Sequence, residues 1–174
     1  DALGRKVKFR YDGLGQLIAA EDAQGNVSRM EYDGLSRVTK AVDPLGNTVQ
    51  TGFDANGNVS AVLLPHGNGV TYTYDARDRL LTQTVGGQQT TTLTYKPYGS
   101  VETITLPTGL VLTYTYDPAH RLTGWSNNRG ESGSFTLDNM GNRTAEQIKD
   151  STGAVAWNAA RTINNINRVS GKTE

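Results

Sequence analysis

Aspartate recurs along this chain at a spacing that raises the possibility of metal or acid–base chemistry. It follows an aromatic residue or leucine at multiples of 21 residues: Tyr11-Asp12, Tyr32-Asp33, Phe53-Asp54, Tyr74-Asp75, Tyr116-Asp117 and Leu137-Asp138. Tyr95-Lys96 keeps the spacing, and a degenerate pair, Ile163-Asn164, follows after 26 residues. A period of about 20–50 residues is typical of stacked supersecondary units. The aspartates are therefore expected to belong to a structural repeat.

The residue types that could support catalysis or metal binding do not converge in the sequence. Calcium-binding repeats cluster several carboxylates in each turn, whereas here there is usually one, the ordinary acceptor of a turn. His66 and His120 lie in turns of different repeats, without the partners that a catalytic triad or a zinc site needs. The sequence predicts no catalytic, cofactor-binding or metal residues, no cofactor and no enzymatic activity.

The aromatic column, which consists of Tyr11, Tyr32, Phe53, Tyr74, Tyr95 and Tyr116, allows two interpretations. Aromatic neighbours on adjacent strands stabilise a sheet by roughly 0.2–1 kcal/mol per pair. Exposed aromatic rings would alternatively form a platform for stacking sugars. Trp125 and Trp157 look isolated and favour neither interpretation.

Each repeat contains two turn sequences, several of which have the form Asp-x-x-Gly. The Tyr-Asp turns include Asp12–Gly15, Asp54–Gly57 and Asp138–Gly141, and the intervening turns include Asp22–Gly25 and Asp43–Gly46. Glycine, or a substitute, recurs at alternating steps of 11 and 10 residues. Aspartate at the first position and glycine at the fourth indicate a type I turn followed by a residue with positive φ, a common hairpin connection with a bulge.

All five prolines fall one residue after the first position of a turn: Pro44, Pro65, Pro97, Pro107 and Pro118. The fixed φ of proline suits that position, whereas its missing N–H is harmful within a central strand. The segments between turns are about six residues long, which is close to the usual strand length.

The strand that precedes each Tyr-Asp pair alternates between two kinds of residue. The tyrosine column and the column two residues earlier are mostly aromatic or aliphatic, and the residues between them are polar or glycine. This pattern predicts an all-β fold of tandem antiparallel hairpins with one apolar face and one polar face. Because long open sheets rarely stay flat, we expect a curved meandering sheet that is a segment of a β-shell.

The composition restricts the possible partners of the chain. Hydrophobic residues make up 36%, the formal net charge is zero, and cysteine is absent. No basic patch suggests nucleic acid, and no apolar stretch is long enough for membrane insertion. No signal peptide is visible in the sequence.

The tandem units resemble the YD repeats of the Rhs family, whose pattern is Y-D-x-x-G-R-L with D-x-x-G-N between units. The segments that match best are Tyr11–Leu17, Tyr32–Val38, Tyr74–Leu80 and Leu137–Arg143. The resemblance covers residues 1–174 as one array, with about seven regular repeats to about residue 143 and a longer hairpin and degenerate repeat over 144–174. Related repeats build bacterial Rhs toxins, shell subunits of insecticidal toxin complexes, and teneurins.

The resemblance implies a non-enzymatic segment of a β-shell whose parent encapsulates a C-terminal toxin. Its expected partners are the remainder of the shell, the toxin domain and a secretion-system spike protein, with secretion or type VI injection in interbacterial competition. The family's self-cleavage motif, D-P-x-G-L, is absent, and Asp43–Gly46 falls in register as an ordinary turn. The alternative is an extracellular carbohydrate-binding or adhesion module.

The periodic pattern is cut at both ends, so the sequence is expected to be a fragment of a longer array. Unpaired strand edges and an uncovered apolar face favour association with other chains. We therefore predict that the isolated chain self-associates, which light scattering over a dilution series would detect. A monomer that persists at high concentration would contradict an open sheet.

Overall fold

The structure is a computed structural model that describes residues 6–166 and 168–173. It divides into two compact units, one ending at Thr90 and the other beginning at Thr91. Apart from a three-residue 3-10 turn at Pro65–Gly67, the regular elements of the described residues are β-strands. None of the described residues forms a helix that is long and apolar enough to cross a membrane.

The first unit contains eight complete strands. They are β1 (Lys8–Tyr11), β2 (Leu17–Glu21), β3 (Val27–Tyr32), β4 (Val38–Val42), β5 (Thr48–Phe53), β6 (Val59–Leu63), β7 (Gly69–Tyr74) and β8 (Leu80–Val85). Each strand pairs with the next in antiparallel fashion, so the strand order follows the chain.

The second unit contains the remaining strands, of which β9 begins at the end of the first unit. They are β9 (Gln89–Tyr95), β10 (Val101–Thr105), β11 (Val111–Tyr116), β12 (Leu122–Asn127), β13 (Ser132–Leu137), β14 (Arg143–Lys149), β15 (Val155–Ile163) and β16 (Val169–Thr173). They also pair in chain order and antiparallel. The predicted all-β class of tandem antiparallel hairpins is confirmed.

The two faces of the strands differ in exposure as the alternation predicts. In β3 and β7 the residues of the tyrosine face are half-buried and those of the polar face are exposed. Polar side chains pair across neighbouring strands, for example Thr73 with Thr82 at 2.6 Å and Lys40 with Glu31 at 2.8 Å. The polar side chains of this face therefore bond to one another while they remain exposed to water.

The apolar face is not covered by a second layer within either unit. Among the described residues only Gly124, Gly133 and Ala159 are buried. Most domains bury one face of a sheet against another layer. Here the residues of the apolar face remain half-buried, so strand pairing and turn geometry must supply most of the stability.

A β-bulge follows each Tyr-Asp turn. In the first hairpin Tyr11 pairs with Leu17 and Arg10 pairs with Ala19, so Ile18 is an extra residue. The same one-residue shift follows every later Tyr-Asp turn of the described chain. An extra residue reverses the inward–outward alternation, which explains why the returning strands show a less regular pattern.

Among the turns whose fourth residue the structure describes, all but two have the predicted conformation. The residue at the fourth position has a positive φ whether it is glycine, as at Gly57 (96°), or a substitute such as Asp78 (59°). The β8–β9 connection is instead a two-glycine turn, with Gly86 at 59° and Gly87 at 73°. In the turn after Leu64, His66 already has a φ of 71°. All five prolines lie outside the strands, as predicted.

Gly57→Ala is expected to lower the free energy of unfolding by about 1–3 kcal/mol, because a non-glycine residue at a φ of 96° is strained. Gly13→Ala is the matched control, since Gly13 lies in the same kind of turn without a positive φ and with open space around its Cα. Urea unfolding measured by circular dichroism distinguishes the two variants. Equal losses would contradict the assigned turn geometry.

Candidate functional site: the Tyr-Asp turns

Each Tyr-Asp turn is organised around the carboxylate of its aspartate. In the Asp75 turn, Oδ1 accepts hydrogen bonds from the main-chain amides of Arg77 at 2.8 Å and Arg79 at 3.1 Å. Oδ2 accepts from Nε of Arg79 at 2.7 Å, and Nη2 of the same guanidinium lies 2.6 Å away. The carboxylate therefore fixes the conformation of the four residues that follow it.

The side chain four residues after the aspartate completes the turn in most repeats. Arginine and asparagine alternate there because both donate a hydrogen bond to Oδ2 from a similar position. The pairs are Asp33–Arg37 and Asp117–Arg121 at 2.7 Å, Asp54–Asn58 at 3.1 Å and Asp138–Asn142 at 2.7 Å. These side chains thus support the backbone, and each supports its own turn first.

These hydrogen bonds lower the pKa of the turn carboxyls. The side-chain hydrogen bond from Arg79 is the main cause that lowers the pKa of Asp75 to about 2. The corresponding bond from Arg37 lowers the pKa of Asp33, and the main-chain amide of Arg121 lowers that of Asp117. The carboxylates are therefore held ionised as hydrogen-bond acceptors, the opposite of what a general acid requires.

Some turn residues also bond to the turn of the following repeat. Nη1 of Arg121 donates to the main-chain oxygen of Asp138 at 2.9 Å. Asn56 and Asn58 both donate to Oδ1 of Asp78, at 2.8 and 2.7 Å. These two hydrogen bonds explain why aspartate is tolerated at a position that otherwise favours glycine. This contact could not be predicted from the sequence, because the residues involved are 20 and 22 positions apart.

The tyrosines connect each repeat with the bulge of the preceding one. The hydroxyl of Tyr32 donates to the main-chain oxygen of Leu17 at 2.9 Å, and Tyr74 and Tyr116 donate in the same way to Val59 and Val101. In each pair the acceptor is the residue immediately before the extra residue of the bulge. The hydroxyls therefore hold the sheet at the point where its regular pairing is interrupted.

This position favours the packing interpretation of the aromatic column over a sugar platform. Burial, together with nearby Tyr72 and Asp54, raises the pKa of Tyr74, and burial raises that of Tyr116. Arg37 lies over the ring of Phe53, with its guanidinium carbon 4.1 Å from the ring centre. The hydroxyls of Tyr32, Tyr74 and Tyr116 and a face of the Phe53 ring are thus occupied by the protein itself.

The sequence suggested that the two tryptophans are isolated, but the structure shows that they are not. Strand register places Tyr114, Trp125, Gly133, Ile148 and Trp157 in one row on the apolar face. A Cβ atom at Gly133 would collide with the indole ring of Trp125, so the glycine provides space for that ring. The row could not be found from spacing, because the inserted hairpin shifts Trp157 out of the period.

The structure does not bring the histidines together with partners suited to catalysis. His66 lies in an intervening turn of the first unit, and His120 packs against Tyr98 in the second, with ring centres 3.9 Å apart. Within the described ranges, no group of three or more His, Cys, Asp or Glu residues could hold a metal ion. The absence of catalytic and metal residues remains a prediction.

Comparison with known proteins identifies the repeat. The family model described as RHS Repeat matches residues 11–48, 53–91 and 100–124, together more than half of the chain. The chain therefore belongs to the RHS repeat family, as its Tyr-Asp spacing suggests. None of the curated proteins matches it.

Solved structures share the fold at low sequence identity. One is the Photorhabdus luminescens Tc holotoxin pore, at 18% identity and a TM-score of 0.72, with 95% of this chain and 10% of that chain covered. The complex of TcdB2 with TccC3 matches at 18% identity and a TM-score of 0.71, over 94% and 10% of the two chains. This chain thus spans about a tenth of the length of the structures that it matches.

Tyr74→Phe is expected to lower the free energy of unfolding by about 0.5–1.5 kcal/mol, because the main-chain oxygen of Val59 loses its donor. Tyr72→Phe is the matched control in the same strand, since its hydroxyl has no hydrogen bond among the described residues. Chemical unfolding of both variants provides the comparison. A loss for Tyr72→Phe as large as that for Tyr74→Phe would contradict a specific role for the ladder hydroxyls.

Acid is expected to unfold the protein through its turn carboxyls. The pKa is lowered below 3.8 at Asp22, Asp33, Asp43, Asp54, Asp75, Asp117, Asp138 and Asp150. A lowered folded-state pKa contributes stability that is complete above the unfolded value and is lost as the pH falls through the folded value. The melting temperature should therefore decrease as the pH falls from 3.8 to about 2, the pKa of Asp75.

Thermal unfolding at pH 7, 4, 3 and 2 measures this dependence. Asp75→Asn should show a smaller loss across the acid range than the unsubstituted chain, because one of the linked carboxyls is gone. A melting temperature that is constant down to pH 2 would show that the turn carboxylates contribute nothing to stability.

Proposed function

We propose that this chain is a non-enzymatic wall segment of a larger bacterial shell, whose parent protein encapsulates a C-terminal toxin and delivers it to competing bacteria. Delivery would take place by secretion or by injection through a type VI system. The observation that carries the proposal is the repeated Tyr-Asp turn and bulge, which extends one antiparallel sheet without adding a core. Such a unit suits a wall, because any number of copies can be joined through the same contacts.

The use of the polar side chains supports a structural role. Most of the turn aspartates, which could otherwise act as acids or nucleophiles, accept hydrogen bonds from two amides and a side chain of their own turn, as Asp75 does. An active site instead requires a nucleophile, a base and an oxyanion donor that point to one reacting atom. The hydrogen bonds described at Asp75 and Asp33 all join groups of the same turn.

The exposed apolar face supports enclosure of a polypeptide. Large apolar surfaces that remain uncovered on a soluble protein usually contact a partner. In the proposed shell, the partners are the remainder of the wall and the enclosed toxin. The matched complexes contain TcdB2 together with TccC3, and one was solved without a hypervariable C-terminal region. This composition is consistent with a shell that holds a variable polypeptide.

Protease protection of the parent polypeptide tests the proposal. With the wall intact, a tag placed C-terminal to the repeats should survive trypsin, and Asp33→Ala/Asp75→Ala should expose it. Leu14→Ala/Leu35→Ala is the matched control, because both side chains lie exposed at turn tips. A tag that is digested at the same rate in all three proteins would contradict encapsulation.

A competition assay and a glycan array separate delivery from adhesion. A producing strain that lacks this segment should lose its ability to kill recipient cells. Selective glycan binding that is abolished by Tyr11→Ala or Tyr74→Ala in the aromatic column, with killing unchanged, would support the adhesion alternative and overturn the proposal.

A further inference from the structure

Three ionisable residues of the second unit interrupt the apolar face at positions that are uncharged in the preceding repeats. Arg143 follows a column of first residues of the returning strands: Leu17, Val38, Val59, Leu80, Val101 and Leu122. Arg161 follows the column Phe9, Met30, Thr51, Tyr72, Leu93, Tyr114 and Phe135. Glu146 occupies the next position in the column of residues that pair with Phe9 to Tyr114 on the neighbouring strands. The earlier members of that column are Ala20, Ala41, Val62, Gln83, Ile104 and Trp125.

The three side chains meet in the structure. Nη1 of Arg143 lies 3.3 Å from Oε2 of Glu146, and Nη2 of Arg161 lies 3.2 Å from the same oxygen. The Glu146 side chain is 15% exposed, that of Arg161 is 22% exposed and that of Arg143 is 41% exposed. The guanidinium carbon of Arg143 also lies over the ring of Phe135, 3.7 Å from its centre. The cluster is therefore well ordered and partly removed from water.

The charges of this cluster do not balance. Two guanidinium groups share a single carboxylate, which leaves an excess of one positive charge on a face that is otherwise apolar. Nη1 of Arg161 is enclosed and has no hydrogen-bond acceptor within the described residues. A buried donor without an acceptor is unfavourable, and partly buried charge normally occurs with a counter-charge.

A cavity of about 350 Å³ adjoins the two arginines. It is lined by Asn142, Arg143, Arg161, Ile163 and Val169. The cavity is widely open to solvent and is bordered by two guanidinium groups and two aliphatic side chains. The planar guanidinium matches the two oxygens of a carboxylate. The side chains of Ile163 and Val169 have no hydrogen-bonding groups for water or for an anion.

We propose that this cavity binds a carboxylate carried on a short aliphatic stem, as in a glutamate side chain of an extended polypeptide. The carboxylate supplies the missing negative charge between Arg143 and Arg161, and the stem packs on Ile163 and Val169. A phosphate ion, which is hydrated on all sides, fits the aliphatic wall less well. The proposal rests on the local cluster and does not depend on the proposed shell function.

Butyrate is a suitable probe, and its binding to the whole 174-residue chain can be measured by saturation-transfer NMR. Butyrate is expected to bind in the millimolar range, with no binding of its neutral isostere, butyramide, and weaker binding of inorganic phosphate. Butyramide that binds as tightly as butyrate would show an unspecific apolar pocket. Phosphate that binds more tightly would overturn the assignment of an aliphatic stem.

Variants test which residues hold the carboxylate. Arg161→Gln should weaken butyrate at least tenfold, whereas Arg129→Gln, at an exposed turn tip of the same unit, should leave the affinity unchanged. Glu146→Gln should strengthen binding several-fold, because it removes the internal competitor. A purely structural ion-pair cluster would show no such gain.

Far-UV circular dichroism establishes whether each variant retains the sheet. If Arg161→Gln does not fold, Arg143→Gln provides the same comparison at the more exposed guanidinium. Butyrate affinity that is unchanged in the folded arginine variants would overturn the proposed site.

Discussion

The carboxylate at the first position of most turns is the interaction on which the sheet depends. Because only Gly124, Gly133 and Ala159 are buried among the described residues, no core holds the strands from one side. The direction in which the chain leaves each strand must therefore be set within the turn itself. One carboxylate oxygen holds two amides of its turn and the other holds the side chain four residues later, as Asp33 does with Arg37. This arrangement uses the tendency of aspartate to bond its own backbone, which elsewhere disrupts regular structure.

The bulge after each Tyr-Asp turn converts a series of hairpins into a connected sheet. The extra residue interrupts regular pairing, and the tyrosine of the next repeat donates its hydroxyl to the main-chain oxygen beside it, as Tyr116 does with Val101. Hydrogen bonds such as that from Arg121 to Asp138 connect successive turns. Stability then arises within repeats and between nearest neighbours, as in other repeat proteins. A sheet of this kind can be extended by adding units, and a local substitution such as Asp78 for glycine can be accommodated by its neighbours.

The sequence was sufficient to predict the features that depend on a single repeat. Turn positions, strand bounds and the two faces follow from aspartate, glycine and proline at fixed offsets, because these residues act on their own backbone. The bulges were less accessible, since they belong to the pairing of two strands. The intervening turn at Asp22 has a similar sequence, yet Glu21 and Val27 pair without a shift. Only the structure distinguishes the two kinds of hairpin.

Contacts across the inserted hairpin were also beyond the reach of the periodic pattern. The 26-residue step displaces Trp157 and Arg161 from the numbering of the earlier repeats. Their partners, Ile148 and Glu146, are revealed by strand register and side-chain distance. The histidine turn at Pro65–Gly67 differs for a local reason, because His66 takes the positive φ one position early. The departures from the repeat thus lie where the chain changes length or turn type.

Hydrogen exchange of Asp33→Ala tests most directly whether local turns, rather than a common core, hold the sheet. Removal of this carboxylate frees two amides and the Arg37 side chain. If stability is local, the amides of β3 and β4 should lose protection strongly, while those of β7 and β8 in the same unit retain it. An equal loss of protection throughout the first unit would show that its strands unfold together, and would contradict stabilisation by individual turns.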